Sequence, residues 1–307
     1  MKLRSFMRKF ATDEACRAHL ESVRWPDGPV CDRCGSINEA ISVEGRAGFW
    51  RCRPCGKQFS VTAGTPMHGT HLPLHVWYLA MYLILASSKG ISAVKLGEQL
   101  GIQYRTAWHL GHRIRAMLAS GEKPILSGLV EADETYVGGK AANRPKSAPR
   151  PEKRGRGTKK PMLFAAVERG GEARTLAVPS ASGAAIAPAL WGWTGKGKAI
   201  LLTDELPTYR WIGRKMEAHH RVTHSAGEYA RTDGAIRVHT NTAEGFFGMF
   251  KRAVVGVWHQ VSAKHLHRYA SEHEFRWNAR EADVPDRIAR CLIGRAGRLR
   301  LRELLAP

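Results

Sequence analysis

The sequence predicts an α/β protein whose main body is a mixed sheet flanked by helices, preceded by two smaller modules. Three observations carry this. Short apolar runs of strand type occur at 129–139, 162–167, 175–178 and 199–202, and helical periodicity takes over towards the end of the chain. Carboxylates interrupt or end two of those runs, at positions that suit the rim of a sheet. Ahead of everything stand two Cys-x-x-Cys pairs, Cys31/Cys34 and Cys52/Cys55.

Each element follows in order. Residues 10–24 read as a short amphipathic helix with Thr12 as N-cap. The four cysteines then suit a zinc ribbon, each turn offering two thiolates to one structural tetrahedral ion, with iron or redox chemistry as the alternative. A helix from His75 carries Trp77, Met81 and Leu85 on one stripe; Ser92 caps a second helix to Leu100; Gly101 breaks the chain; and 103–118 form a third. Helix, glycine turn and basic helix read as helix-turn-helix, with Arg105, His109, Arg113 and Arg115 as DNA contacts, against the plainer reading of a three-helix packing unit. The insertion at 139–161 is rich in Lys, Arg, Pro and Gly and cannot build a core; Lys153, Arg154, Arg156, Lys159 and Lys160 would clamp a phosphate backbone. A helix around 184–191 precedes the strand at 199–202, a further strand is expected at 221–224, and helices follow over 242–254 and from Ser262. In the last of these, Arg276 and Arg280 follow Glu272 at spacings of four and eight and read as a helix-face charge ladder, and the residues after Val284 as one basic terminal helix. The expected domains are thus 1–70, 71–122, 123–283 and 284–307.

The chain of 307 residues holds 48 Lys and Arg against 27 Asp and Glu, a net charge of +21 that favours a polyanion, nucleic acid before membrane. No apolar run reaches the roughly 18 residues of a membrane span, and the N-terminus lacks a signal-peptide core. The expected location is the cytoplasm, in association with the nucleoid.

The chemistry is carried by acids. LVEADETYVGG places Glu131, Asp133 and Glu134 on a mostly apolar strand, where carboxylates are costly to bury unless a cation or hydrogen-bond donors compensate them; a solvated edge strand is the alternative. Asp204 ends the run AILLT, and Glu244 lies in the first turn of a helix, so the acids stand on separate elements far apart in the chain. An RNase H-like core would bring such acids together. Carboxylates so gathered suit two magnesium or manganese ions, which activate water on a phosphodiester and stabilise the leaving 3′-oxygen. Asn241-x-x-Glu244 is also the form of a capping box. Helix phase weighs against that: Glu244 and Lys251 fall within about 20° of each other, and Phe246, Phe247 and Phe250 centre more than about 100° away. Glu244 is therefore read as metal ligand, Asn241 as cap or substrate contact, and Lys251 as a phosphate contact.

Taken together, CDRC, CRPC, GTPMHGTHLPLHVW, VEADETYVGG, LLTDE, HTNTAEGFF with Lys251, and HLHRYASEHEFRWNAR resemble the bacterial insertion-sequence transposases that join an N-terminal zinc ribbon to an ISXO-like DDE core. The resemblance spans nearly the whole chain. It implies an RNase H-like fold, divalent-metal catalysis, terminal inverted repeats and target DNA as substrates, and a homo-oligomer on DNA. Asp133 and Asp204 match the family aspartates, and the third position falls to Asn241 or Glu244. A nuclease that does not rejoin DNA, and a catalytically inactive DNA-binding regulator, are the rival readings.

Overall fold

The computed structural model describes residues 1–119, 123–138, 160–195, 197–294 and 296–306. Two compact units result: Met1–Gly121 with Glu281–Pro307, and Glu122–Arg280.

The first unit opens with α1 (Leu3–Lys9) and α2 (Asp13–Arg24), the latter capped by the Thr12 hydroxyl accepting from the Ala15 amide. A three-stranded antiparallel sheet follows, β1 (Ala40–Ser42), β2 (Phe49–Cys52) and β3 (Gln58–Ser60). Its core is little more than Phe59, Trp25, Trp50 and the cysteines, so a sheet this small gains most from a bound ion. Next come α3 (Leu74–Ala86), α4 (Ala93–Leu100) and α5 (Tyr104–Ala119), packed on one another. Ser92 caps α4 through the Lys95 amide, and Gly101 supplies the left-handed residue, φ 64°, that ends it. A Cβ at Gly97 would stand 2.9 Å from the Ile102 carbonyl, so the close return of the chain after α4 requires glycine there.

The second unit contains β4 (Gly128–Tyr136), β5 (Met162–Glu168), β6 (Ala173–Val178), α6 (Gly183–Trp193), β7 (Ala199–Thr203), α7 (Thr208–Ile212), β8 (Ala218–Arg221), the hairpin β9 (Arg231–Asp233) and β10 (Ile236–Val238), α8 (Asn241–Ala253) and α9 (Leu266–Asn278). The sheet order is β6-β5-β4-β7-β8, with β4, β5 and β6 antiparallel and β4, β7 and β8 parallel. That is the RNase H-like arrangement. On one face Val130, Ala132, Phe164 and Leu201 pack against Ile186 and Leu190 of α6 and Tyr209 of α7. On the other, Leu163, Ala165 and Val167 receive Phe246, Phe247 and Phe250 of α8 with Leu266 and Tyr269 of α9. The phenylalanine face of α8 thus docks on the sheet, as its helical phase predicts.

Some expectations change. The strand expected at 221–224 is β8, three residues earlier, and the β9–β10 hairpin has no strong signal in its short polar run RTDGAIRV. Ser262 precedes a 3-10 turn at Ala263–His265, so α9 starts only at Leu266. Of the expected ladder the Glu272–Arg276 pair forms, and it is buried because α9 turns that side inward. The basic tail is two helices, α10 (Val284–Leu292) and α11 (Leu301–Leu305), since Gly294 and Gly297 between them disfavour continuation. No described helix is long and apolar enough to cross a membrane.

Candidate active site and metal centre

The four cysteines of the first unit converge. Both Cys-x-x-Cys-Gly turns close the same way, the Gly35 amide donating to the Cys31 carbonyl and the Gly56 amide to that of Cys52, each at 2.9 Å and with the glycine at positive φ. All four sulfurs lie within 4.8 Å of one another, with Cys31–Cys55 at 3.6 Å and Cys34–Cys52 at 3.5 Å. A tetrahedral ion with Zn–S of about 2.3 Å needs sulfurs about 3.8 Å apart, so the quartet fits zinc. Hydrogen bonds from the Ser36 hydroxyl and amide, and from Cys52, pull the Cys34 thiol down to about 6, whereas the crowding of the other three sulfurs helps push Cys55 up to about 12, so the quartet holds its protons unevenly.

In the second unit, sheet register sets the acids. The last Cα pair of the parallel β4–β7 ladder is Ala132 with Thr203, so the next residues, Asp133 and Asp204, stand side by side where β7 ends and β4 runs on against β5 alone. Asp133 is half-buried, and its carboxyl is pushed up to about 7 by burial and by the negative charges of Glu134, Asp204 and Glu244. The Glu134 amide, donating to it at 2.8 Å, offsets this only in part. Asp204 accepts from the Leu206 amide at 2.9 Å. Glu244 is exposed and accepts from the Thr240 hydroxyl at 3.2 Å, while its own amide donates to the Thr240 carbonyl. The negative field that Asp204 and Glu244 lay on Asp133 is one that a hard cation would relieve, and oxygen donors are the kind such a cation takes. Among the described residues these acids are not gathered as tightly as the sulfurs.

The other acids of β4 have different partners. Glu134 is bonded by the Tyr209 hydroxyl at 2.8 Å, and Tyr209 is held well above its ordinary range by its burial and by Glu134. Glu131 is fully buried against the start of α8. Neither Tyr209 nor Arg169, which pairs with Glu131 at 2.6 Å, is singled out by the sequence, because both act through elements distant in the chain. Asn241 is the first residue of α8 with its side chain exposed, and no side-chain cap forms at Thr240. The alternative of a capping box at Asn241 and Glu244 is not formed, the N–H groups of Thr242 and Ala243 being met from β4 instead. Lys251 is exposed two turns beyond Glu244 on α8.

The basic residues expected to read DNA divide. Arg105 is exposed at the N-terminal end of α5, beside Tyr104. Arg113 and Arg115 are buried; Arg113 donates to the carbonyls of Pro66 and His68 and lies over the Trp77 ring, 4.8 Å from its centroid. His109 bonds the Leu299 carbonyl at 3.3 Å, and with Arg113 it lines a cavity of about 440 Å³ shared with Arg298, Arg300 and Arg302 of the tail. Arg113 and Arg115 are thus turned into the packing of the first unit, while Arg105 is exposed and His109 half-buried beside the arginines of the tail. Lys160 is half-buried just before β5, and Lys153, Arg154, Arg156 and Lys159 lie outside the described residues.

Comparison with known proteins adds the following. Residues 125–278 match the model of the ISXO2-like transposase domain, and residues 11–58 that of a transposase zinc-ribbon domain. Among solved structures, similarity extends to a pre-cleavage Mos1 transpososome, at 14% identity over 72% of this chain and 79% of that one with a TM-score of 0.27. A Mos1 transposase paired-end complex with the left transposon end gives 15% identity over the same shares and a TM-score of 0.28. No curated protein matches.

Proposed function

Because this chain belongs to the ISXO2-like transposase domain family, with a transposase zinc ribbon ahead of that domain, we propose that it cleaves DNA at the terminal inverted repeats of an insertion sequence and joins the freed ends to target DNA. The observation that carries the chemistry is the position of Asp133 and Asp204 just past the last pair of the parallel β4–β7 ladder, with Asp133 in the field of Asp204 and Glu244. Asp133, Asp204 and Glu244 would hold magnesium or manganese, which supplies positive charge to the attacking and leaving oxygens of a phosphodiester. The protein's own part is to hold these carboxylates on and beside a rigid sheet and to raise the Asp133 carboxyl to about 7, so that it would release its proton to solvent readily as a cation arrives. Lys251, exposed on the same helix as Glu244, would meet a phosphate of the bound strand. Zinc would serve structurally in the ribbon, which with Arg105 at the start of α5 would read the ends. Two ends must be handled together, so the active form is a homo-oligomer on DNA.

The test is Asp204→Asn. With duplexes bearing the element's ends and magnesium or manganese, the variant should bind as wild type does and lose both cleavage and strand transfer by at least about 10³-fold, the scale of removing a main electrostatic contributor. Retained cleavage would rule this site out. Cleavage without strand transfer by the wild-type protein would make it a nuclease.

A further inference from the structure

Of the three acids on β4, Glu131 is the one a metal could not use. Its side chain is 0% exposed, and both oxygens are saturated by donors. Oε1 accepts from Arg169 Nε at 2.6 Å and from the Thr242 hydroxyl at 3.0 Å; Oε2 accepts from the backbone amides of Thr242 at 2.7 Å and Ala243 at 3.0 Å; His239 Nδ1, which accepts from the Asn241 amide at 3.3 Å, lies 3.2 Å from Oε1. These four donors fill the roughly four lone-pair sites of a carboxylate. Two of them are free N–H groups of the first turn of α8, which would otherwise lack partners, since Thr240 provides no side-chain cap and Asn241 is exposed. The helix that carries Glu244 is thus capped by a strand residue 111 positions earlier.

Arg169 completes the arrangement. Its three nitrogens go to three different acceptors: Nε to Glu131, one terminal nitrogen to the Arg237 carbonyl at 2.6 Å, the other to the His239 carbonyl at 3.0 Å. Its own amide donates to the Leu129 carbonyl at 3.0 Å. One planar guanidinium therefore ties β4 to the segment that leads from β10 into α8, and a buried carboxylate beside it needs that charge. Glu131 and Asp133 also lie on the same face of β4, two residues apart, so whatever fixes Glu131 to the first turn of α8 fixes the distance from Asp133 to Glu244, three residues into that helix.

We infer that Glu131 and Arg169 are positioning residues of the proposed site, a carboxylate–guanidinium clamp that locks the first turn of α8 onto β4 and so sets Glu244 against Asp133 and Asp204. This rests on the reading of those three acids as a divalent-metal site. Groups that orient ligands from behind typically change metal affinity by about 10–100-fold when removed.

The experiment uses the full chain and Mn²⁺ alone, with Glu131→Gln, Arg169→Lys and Thr242→Val. Gln keeps the shape but turns an amide N–H₂ towards donors, Lys keeps the charge without the fork, and Val removes only the hydroxyl bond. Hydrogen exchange reports the amides of Thr242 and Ala243, Mn²⁺ titration followed by paramagnetic resonance reports the site, and duplex affinity serves as control. Expected are faster exchange at those two amides and Mn²⁺ affinity at least about 10-fold weaker for Glu131→Gln and Arg169→Lys, with a few-fold change for Thr242→Val and unchanged duplex affinity. Rescue by Lys, or wild-type Mn²⁺ affinity in any folded Glu131 or Arg169 variant, would overturn the clamp. If Glu131→Gln does not fold, the Arg169→Lys and Thr242→Val results decide by the same criteria. Should the wild-type protein bind no Mn²⁺ while its Thr242 and Ala243 amides are protected and both variants expose them, the cap stands and the metal reading is what fails.

Discussion

The sulfur quartet and the carboxylate trio are both gatherings of metal-type donors, built in opposite ways. The sulfurs come from one short stretch, positions 31–55, closed by two identical glycine turns, and all lie within 4.8 Å of one another around a core of a few aromatic side chains. The carboxylates come from two strands and a helix, at positions 133, 204 and 244, and are held by a five-stranded sheet with a full apolar layer on each face. The difference concerns what depends on what. In the ribbon the donors have little else to hold them, so the ion and the fold stand together. In the core the fold exists regardless, and it forces like charges into proximity that a cation would relieve.

That contrast can be broken at its stronger end first. Cys31→Ser or Cys55→Ser should release zinc and unfold the ribbon, whose metal-coupled folding energy is about 10 kcal/mol for modules of this kind. The sheet domain should melt unchanged. Metal analysis together with two-transition calorimetry checks this; a mutant that keeps stoichiometric zinc would undo the comparison. Asp133→Asn should act in the opposite direction and stabilise the metal-free protein. The native carboxyl sits at about 7 against an ordinary value of 3.8, so the folded state binds its proton more tightly than the unfolded one. Stability from this group is complete below about 4 and is lost as pH rises through about 7. Above that, the asparagine variant should exceed wild type by a few kcal/mol, about 1.4 kcal/mol for each tenfold difference in proton affinity, and the gap should close towards pH 4. Denaturant titrations across that range provide the measure, and a gap independent of pH would remove the charge argument.

Two smaller effects sharpen the division within α5 and α8. Arg113→Ala should cost about 2 kcal/mol of stability by freeing two carbonyls and the Trp77 ring face, whereas Arg105→Ala should leave melting unchanged and weaken end-specific DNA binding by about 10-fold. Thermal melts and footprinting separate them, and the reverse pattern would reinstate the buried face as the reading surface. Smallest of all is Asn241→Ala. Its side chain caps nothing, so the change in stability should stay under about 0.5 kcal/mol with strand transfer measurable. Loss of strand transfer from that folded variant would give Asn241 the third catalytic position.

What the sequence by itself determined were the features whose cause lies within a few residues. Cys-x-x-Cys-Gly makes its turn wherever it stands; Thr12, Ser92 and Gly101 delimit helices through bonds to immediate neighbours; and the spacing of Phe246, Phe247 and Phe250 says which side of α8 meets an apolar surface. Strand alternation likewise puts Glu131 and Asp133 on one face. What the alternation could not decide is which of the two meets the helix and which meets Asp204, because that depends on the register of β4 with β7 and on where α8 begins, both fixed by packing between elements far apart in the chain. The same holds for α5, where Arg105 and Arg113 look alike as letters. Only the tail and the loop at Pro66–His68 settle that one side chain is exposed and the other spends its donors on carbonyls, since burial of a charge is a property of everything packed around it.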